Sequence, residues 1–350
     1  MIERGDSVRY FGSKSSTLEA VIGLALDGMP IQTAADAFGG LGTIGAALRR
    51  RNVRVTTCDI LSMPHAFQHT RVVCSSVPRY LHVRRNLNLG SREAVLDHLV
   101  QQRNTRSWIV NEFARQRMFF TVENAIRIAG VWDEMCRWNE NGWLSTSERA
   151  HLVSSFVDAM DACANTAGTY YAYLKQWDRK ALRPFTLSFL PIPSGFPPGQ
   201  ALRGDALETL RGRNFDLLYL DPPYNDRDYA RYYHLPESLA QLSRPRTNPD
   251  SLAGLPQKIG VESTQFRQAM RLDYLQKLLG EVGWKRVVVQ YCEDAFIPLP
   301  DLRACLSARG TMTEYEVNAL GYTTTSRKRR SRHHVFIVDR PTGSPTKRPV

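Results

Sequence analysis

Residues 32–59 have the sequence QTAADAFGGLGTIGAALRRRNVRVTTCD. The apolar residues from Gln32 to Phe38 predict a short strand, a glycine-rich turn follows, and Thr43 to Arg51 has helical character. Val53 to Cys58 predicts a second strand, which ends at Asp59. Strand, glycine turn, helix, strand and acid in this order are typical of the nucleotide-binding half of a parallel α/β sheet.

The glycine turn leaves three interpretations open. Residues 40–45, GLGTIG, match the pattern G-x-G-x-x-G, and Asp59 follows at about the spacing of a ribose-binding acid. The turn is therefore a structural feature, a nicotinamide or flavin dinucleotide site, or a site for S-adenosylmethionine. Asp36 and Phe38 stand just before the turn, where an acid and an aromatic ring suit a sulfonium cofactor with an ammonium group better than a pyrophosphate. The pattern favours S-adenosylmethionine.

The character of the chain changes between residues 76 and 183, which we interpret as a helical insertion rich in Arg and aromatic residues. Its helical periodicity predicts helices at Ser91–Arg103, Thr121–Trp138 and Thr146–Trp177, the last capped by Ser145 or Thr146. The flanking residues 1–75 and 184–340 are expected to form one discontinuous α/β domain, with 341–350 as a flexible tail.

Strand patterning returns after the insertion. Strands are expected at Phe185–Leu190, Phe215–Leu220 and Arg286–Tyr291, and a closing hairpin at Thr311–Asn318 and Val335–Val338. The proline-rich stretch 191–198 marks a connection. Helices are predicted at Ala206–Leu210, Gln265–Glu281 and Leu302–Ala308.

The run Asp221-Pro222-Pro223-Tyr224 follows directly on the apolar strand Phe215–Leu220. A carboxylate, two rigid prolines and an aromatic ring at the end of a buried strand can hold a flat, amine-bearing base and orient its nitrogen. The Asp221 carboxylate and the Pro222 carbonyl can each accept one N–H of the amine, and Tyr224 can stack on the base. The alternative is a strand-ending turn with a structural acid.

The composition limits the partners of the chain. Its 350 residues include 46 Lys and Arg against 34 Asp and Glu, a net charge of +12, which attracts polyanions. The six cysteines are far apart and form no Cys-x-x-Cys pair, so neither a zinc site nor a disulfide framework is expected. No long apolar run or signal core is present, so we expect a cytoplasmic protein without metal or membrane partner.

Two groups of residues are candidates for contact with nucleic acid. The first follows the Asp221 run and comprises Asn225, Arg227 and Tyr229, whose types can grip phosphates or fill the space of a displaced base. The second is a cluster of five cations within six positions, expected at the tip of the closing hairpin: Arg327, Lys328, Arg329, Arg330 and Arg332. We expect this cluster to contact phosphates rather than to be only a solvated tip.

The order of these motifs resembles the Dam-like adenine-N6 DNA methyltransferases, in particular the adenine-specific methylases of restriction systems. In that family the cofactor motif comes first, the recognition insertion second and the catalytic motif last. The residues that carry the resemblance, over about residues 8–340, are Tyr10 to Lys14, Asp36, Phe38, Gly40, Gly42, Asp59, Asp205 and Asp221 to Tyr224, with the stretches 119–125, 164–177 and 225–234. One departure is Ser13, where the family commonly has glycine.

The resemblance implies a Rossmann-like, S-adenosylmethionine-dependent methyltransferase sheet with a helical insertion for DNA recognition. It implies methyl transfer to N6 of an adenine flipped out of double-stranded DNA, in restriction-modification or phage defence, with a cognate restriction endonuclease as a possible partner and a bacterial or phage origin. By the same resemblance Asp221, Pro222, Pro223 and Tyr224 are catalytic. The implied cofactor-binding residues are Tyr10, Gly12, Lys14, Asp36, Phe38, Gly40, Gly42, Asp59 and Asp205.

Some alternatives stay open. An RNA adenine is one, and the N4 amine of cytosine is another, although the cytosine enzymes usually have Ser in place of Asp221. A third is a catalytically inactive DNA-binding relative, against which the intact Asp221, Tyr224, Gly40 and Gly42 argue. For Asp205, a helix cap is the alternative to a contact with the cofactor's adenine.

Overall fold

The computed structural model describes residues 17–223, 228–257, 262–320 and 330–341. The chain divides into two compact units. The helical unit includes Ser76–Ile192 and Tyr229–Gly260, and the sheet unit includes Gly12–Ser75, Pro193–Asp228 and Val261–Val350.

The sheet unit contains a seven-stranded sheet in the order β3-β2-β1-β4-β5-β7-β6. The strands are β1 (Thr33–Asp36), β2 (Arg54–Asp59), β3 (Gln200–Arg203), β4 (Asn214–Leu220), β5 (Gly283–Cys292), β6 (Thr311–Leu320) and β7 (Arg330–Asp339). Neighbouring strands from β3 to β5 are parallel, whereas β7 is antiparallel to both β5 and β6. This mixed α/β sheet confirms the fold class expected from the sequence, although the short strand β3 was not predicted.

The helices of the described residues, in chain order, are α1 (Leu18–Leu26), α2 (Thr43–Arg49), α3 (Ser62–Gln68), α4 (Leu81–Asn86), α5 (Arg92–Val100), α6 (Trp108–Val110), α7 (Val122–Glu140), α8 (Thr146–Asp161), α9 (Ala206–Leu210), α10 (Tyr229–Tyr232), α11 (His234–Ala240), α12 (Glu262–Ala269), α13 (Leu272–Glu281) and α14 (Leu299–Ser307). Two π-helices, His69–Val73 and Asn111–Arg115, follow α3 and α6 directly.

Both faces of the central strands are buried, as is usual in a parallel sheet covered by helices. Successive residues of β4 alternate between two apolar clusters: Leu218 packs in the cluster that contains α13, and Leu217 in the cluster that contains α1 and α2. The alternation follows from the two-residue period of a strand. It explains why the four residues 217–220 are all hydrophobic.

The ends of the helical unit's long helices are set by side-chain caps. Ser145 caps α8 in a reciprocal capping box with Glu148, which selects between the two predicted caps. At the start of α7, the side chain of Thr121 accepts the N–H of Asn124. Each cap satisfies a backbone N–H that the first turn of a helix leaves without a partner.

The prediction of one helix over Thr146–Trp177 was wrong in its second half, because α8 ends at Asp161. The buried side chain of Asn165 donates to the carbonyls of Met118 and Leu174 and accepts from the N–H of Asp178. These tertiary hydrogen bonds replace the helical ones, so the segment after α8 is irregular. Gln265–Glu281 is also two helices, α12 and α13, with a break at Arg271.

The predicted strand at Phe185–Leu190 was also wrong, because this segment pairs with no strand among the described residues. Its backbone N–H groups have other partners: that of Phe185 donates to Asn124 Oδ1, and that of Leu190 donates to Ser155 Oγ. Both acceptors lie on helices of the same unit. An alternating apolar pattern therefore marks burial here without strand pairing.

Two buried histidines of the helical unit are held in the neutral form. His151 Nδ1 lies 2.8 Å from the Tyr80 hydroxyl and Nε2 lies 2.9 Å from the Leu190 carbonyl, while His234 Nε2 lies 2.9 Å from the Tyr170 carbonyl. Burial lowers the pKa of each imidazole to about 4. As the pH falls, these histidines therefore become protonated at a higher pH in the unfolded chain, where the histidine pKa is near 6.5, than in the folded chain.

We expect acidification from pH 7 to pH 5 to lower the free energy of unfolding by about 2 kcal/mol for each of these histidines. The stabilisation is complete above pH 6.5 and is lost as the pH falls towards 4. Urea unfolding at the two pH values measures it by tryptophan fluorescence, since five of the six tryptophans lie in the helical unit. His151→Gln, which does not titrate, should make the loss of stability between pH 7 and pH 5 smaller by about 2 kcal/mol; an unchanged loss would contradict the assignment.

Candidate active site at the carboxyl edge of the sheet

Three carboxylates meet where the parallel strands β1, β2 and β4 end. Asp36 at the end of β1 pairs in register with Thr57 of β2 and with Tyr219 of β4. Asp59 and Asp221 each follow two residues after these partners. The parallel direction of the strands therefore brings the three sequence-predicted acids to one edge of the sheet unit.

The glycine turn lies between Asp36 and α2. The Gly39 N–H donates to the Cys58 carbonyl of β2 at 2.9 Å, and the Gly42 N–H donates to the Gly39 carbonyl at 2.7 Å. Gly42 directly precedes α2 and has a φ of 76°. This left-handed conformation is disfavoured for residues that carry a side chain. The turn thus needs glycine for its backbone conformation as well as for the approach of any ligand.

Asp59 fixes the turn from the neighbouring strand. Its Oδ2 accepts the N–H of Gly40 at 3.2 Å, and its Oδ1 accepts the N–H of Leu61 at 3.0 Å. Hydrogen bonds from backbone N–H groups favour the ionised form of a carboxylate. Asp59 therefore positions the glycine turn, a role that the sequence did not predict, while its contact with a ribose remains a prediction.

Two further residues hold the turn from its other side. Gln68, the last residue of α3, donates from Nε2 to the Gly40 carbonyl at 2.9 Å, and Arg71 in the following π-helix donates to the Leu41 carbonyl at 2.7 Å. A β-carbon on Gly39 would lie 2.7 Å from Gln68 Nε2, so a side chain there would displace the Gln68 amide from the turn. Sequence reasoning missed both residues, because neither belongs to a motif and α3 was not predicted.

Asp36 is the most strongly perturbed acid of the group. It is buried, neither of its carboxylate oxygens accepts a well-formed hydrogen bond within the described residues, and the backbone N–H groups of Phe38 and Gly45 only partly offset its burial. Burial raises its pKa to about 8, and the negative charges of Asp221 and Asp59 add to the rise. Without a ligand the Asp36 carboxyl is therefore protonated at neutral pH, and a nearby positive charge would favour its ionisation.

The catalytic run begins directly after β4. Asp221 and Pro223 are half-buried and Pro222 is buried. Beneath them the Tyr219 hydroxyl donates to Gln290 Oε1 at 2.7 Å, and burial with the charges of Asp221 and Asp36 raises the pKa of Tyr219 well above its usual value. Tyr219 therefore stays a neutral donor close to both acids, a contact that no motif predicts.

The structure places two more of the predicted cofactor residues in the sheet unit. Asp205 caps α9, where its Oδ1 accepts from the N–H groups of Leu207 and Glu208 and from the Tyr274 hydroxyl. The helix-cap alternative is thus observed, and a contact with the cofactor's adenine remains a prediction. The ring of Phe38 is half-buried and lies 6.5 Å from that of Tyr274.

The predicted nucleic-acid contacts lie on elements other than the glycine turn and the end of β4. Tyr229 begins α10 in the helical unit, where its ring stacks on Tyr233 at 6.2 Å. The cation cluster is not confined to a hairpin tip, because β7 begins at Arg330 and pairs Arg332 with Asn318. The remaining predicted residues lie outside the described residues; they are Tyr10, Gly12, Lys14, Tyr224, Asn225, Arg227, Arg327, Lys328 and Arg329.

The described residues contain neither a cluster of metal ligands nor a long apolar helix. No group of three or more His, Cys, Asp or Glu side chains there is arranged to hold a metal ion. No helix in the same part of the chain is both long and apolar enough to cross a bilayer.

Several known methylases are similar to this chain in sequence. The type II methyltransferase M.FokI of Planomicrobium okeanokoites is 25% identical over 338 residues, which are 93% of this chain and 50% of the relative. The modification methylase LlaI of Lactococcus lactis subsp. lactis is 23% identical over 84% of this chain and 48% of the relative. The type II methyltransferase M.CviAII of Paramecium bursaria Chlorella virus 1 is 30% identical over 55% of this chain and 57% of the relative.

The chain thus spans about half the length of M.FokI and of LlaI. A family model described as D12 class N6 adenine-specific DNA methyltransferase matches residues 10–253, which is more than half of the chain. The match begins before the glycine turn and extends beyond Asp221 and the helical insertion. The chain belongs to the D12 class of N6 adenine-specific DNA methyltransferases.

Proposed function

We propose that this protein transfers a methyl group from S-adenosylmethionine to N6 of an adenine flipped out of double-stranded DNA. We propose further that it does so as the modification enzyme of a restriction or phage-defence system in a bacterial cytoplasm. The observation that carries the proposal is the position of Asp221 and Pro222 at the end of β4, on the same sheet edge as the buried Asp36. Family membership and the modification methylases among the relatives support it.

The residues at the sheet edge fit this cofactor. Asp36 is a buried carboxyl whose oxygens accept no well-formed hydrogen bond within the described residues, as expected if a cationic ligand provides its partner. The glycine turn is held in one conformation by Asp59, Gln68 and Arg71, so it need not be ordered when a ligand binds. When bound, S-adenosylmethionine supplies a methyl group on a positively charged sulfur.

The chain's own residues would act on the target base by orientation and hydrogen bonding. The exocyclic nitrogen of adenine is a poor nucleophile, because its lone pair is delocalised into the ring. Asp221 would accept one N–H and the Pro222 carbonyl the other, which favours a tetrahedral nitrogen with an available lone pair. The prolines restrict the backbone, so little of this geometry must be ordered when the base binds. Tyr224 would stack on the flipped base.

Asp221→Ala should abolish methylation and leave cofactor binding largely unchanged, since Asp221 is assigned to the base rather than to the cofactor. Single-molecule sequencing of DNA from cells that express either protein tests this. Adenine methylation at one short motif, present only with the wild type, is the expected result, and it would also identify the recognition sequence. Glu208→Gln, an exposed acid of the same unit, is the matched control and should methylate normally.

Two outcomes would contradict this assignment. Unchanged methylation by Asp221→Ala would exclude Asp221 from catalysis. Unmodified DNA in the presence of folded wild-type protein that binds the cofactor would favour an RNA substrate instead.

The affinity for S-adenosylmethionine should increase from pH 6 to pH 7.5. Asp36 has a pKa of about 8 without ligand, so below that pH the carboxyl must release a proton to pair with a cation. The expected increase approaches about tenfold per pH unit, the limit for one coupled proton. Calorimetric titration at both pH values, with proton release read from buffers of different ionisation enthalpy, measures it.

The matched control is Asp36→Asn, which keeps the size of the side chain but cannot ionise. It should bind more weakly at pH 7.5 and show only the pH dependence of the cofactor's own amino group. Equal pH dependence in the two proteins would show that Asp36 does not pair with the ligand.

Replacing the five cations of the cluster Arg327–Arg332 with Gln should weaken DNA binding at every sequence. Each phosphate contact contributes about 0.9 to the slope of log K against log salt, so removing five contacts should reduce the slope by about 4 to 5. Anisotropy titrations of a labelled duplex between 50 and 200 mM salt, concentrations at which such contacts are resolved, give the slope. An unchanged slope would place the cluster away from DNA.

A further inference from the structure

An irregular segment of the helical unit carries aromatic rings on its surface. Residues 168–180, here called the aromatic loop, contain no helix or strand, although they lie within a predominantly helical unit. Within the loop Tyr171 is 47% exposed and Trp177 is 39% exposed. Single exposed rings are common on proteins, but two rings six positions apart on one loop are a reason to look for a ligand.

The aromatic loop is held firmly at its base by the fully buried Asn165. The Leu174 N–H donates to the Asn165 carbonyl at 3.0 Å, and the Asn165 side chain bonds both the Leu174 carbonyl and the Asp178 N–H. The middle of the loop, at Leu174, and its second half, at Asp178, are therefore tied to one residue. Compact loops closed in this way are frequently functional, because they present side chains from a fixed backbone.

The rings of the loop are also pre-positioned. The buried Tyr170 stacks on Phe119 and donates from its hydroxyl to Asp161, so it anchors the residue beside Tyr171. The ring of Tyr171 in turn stacks on Tyr232, with centroids 5.0 Å apart and planes within 13°. A ring that is half exposed and nearly parallel to its neighbour offers a flat face of the kind on which a base stacks.

Cations accompany the rings. The aromatic loop contains three cations (Lys175, Arg179 and Lys180) against the single acid Asp178. Lys175 lies over the ring of Tyr173 at 4.7 Å, and Lys175 and Arg179 are exposed. Aromatic faces interspersed with cations are the combination that binds single-stranded nucleic acid, by base stacking and phosphate contact. A protein partner would require no such excess of positive charge.

We propose that the aromatic loop, with Tyr171 and Trp177 as its stacking residues, binds the bases that lose their pairing when the target adenine is flipped. The inference rests on the proposed function, since it names the part of the DNA that this surface of the helical unit takes. Flipping leaves an orphaned base and a locally unstacked strand, whose energetic cost a stacking surface offsets. Tyr232, the stacking partner of Tyr171, follows only eleven residues after Asp221 in the chain.

The test compares two labelled 30-base-pair duplexes of the same sequence, one fully paired and one with three central mismatches. The wild type, without cofactor, should bind the mismatched duplex more tightly by at least about fivefold, the gain from stacking one base. The double variant Tyr171→Ala/Trp177→Ala should lose this preference and keep its affinity for the paired duplex within about twofold. Leu182→Ala, which removes a neighbouring side chain that is 61% exposed, is the matched control and should behave as the wild type.

Lys175→Gln/Arg179→Gln separates stacking from charge. It should weaken binding of both duplexes to the same extent and reduce the salt slope by about 2. Because all four substituted side chains are exposed, their thermal unfolding should match that of the wild type, which shows that any loss of binding is not a loss of fold.

A double variant that keeps the preference for the mismatched duplex, or a wild type that has none, would overturn the inference. The same proteins tested for methylation of cellular DNA distinguish it from the proposed function. Methylation by the wild type together with an unchanged preference in the double variant would reject the loop and leave the function standing. No methylation together with a lost preference would reject the function and keep the loop as a site for unpaired strands.

Discussion

Burial of a carboxyl beside two other acids is the constraint on which the candidate site of the sheet unit depends. Parallel strands end at the same edge, so Asp36, Asp59 and Asp221 are neighbours as a consequence of topology. Asp59 is compensated by the backbone N–H groups of the glycine turn, whereas Asp36 is buried and remains protonated. A buried acid that would ionise beside a cation suits a positively charged ligand, and Asp59 holds the glycine turn next to it.

The parts of the fold that could be predicted are those in which local pattern and tertiary environment agree. β1, the glycine turn, α2 and β2 lie close to their predicted positions, because strand, turn and helix signals follow one another there without interruption. Phe185–Leu190 has an equally strong alternating pattern, yet side chains of Asn124 and Ser155 take the hydrogen bonds that a neighbouring strand would have supplied. Those acceptors lie 61 and 35 positions away in the chain, so no local pattern contains them.

The candidate site shows the same division. Asp36 and Asp221 belong to motifs whose residue types indicate their chemistry. Both lie at the carboxyl edge of the parallel strands, as expected. Gln68 and Arg71 shape the same turn but have no motif, because their role is defined only by where α3 and the π-helix after it direct them. Sequence patterns thus identify the groups that react more readily than the groups that hold them.

The position of the insertion also has a consequence for how the chain reaches its native state. β2 and β3 are adjacent in the sheet, but 140 residues, including most of the helical unit, separate Asp59 from Gln200. Pairings between distant segments form slowly, since a long loop must close before any contact compensates for the lost entropy. We therefore expect the helical unit, whose contacts are more local, to fold before this edge of the sheet is complete. During synthesis on the ribosome, β1 and β2 would then wait for β3 and β4 as an exposed strand pair, the stage at which this chain is most open to misassembly.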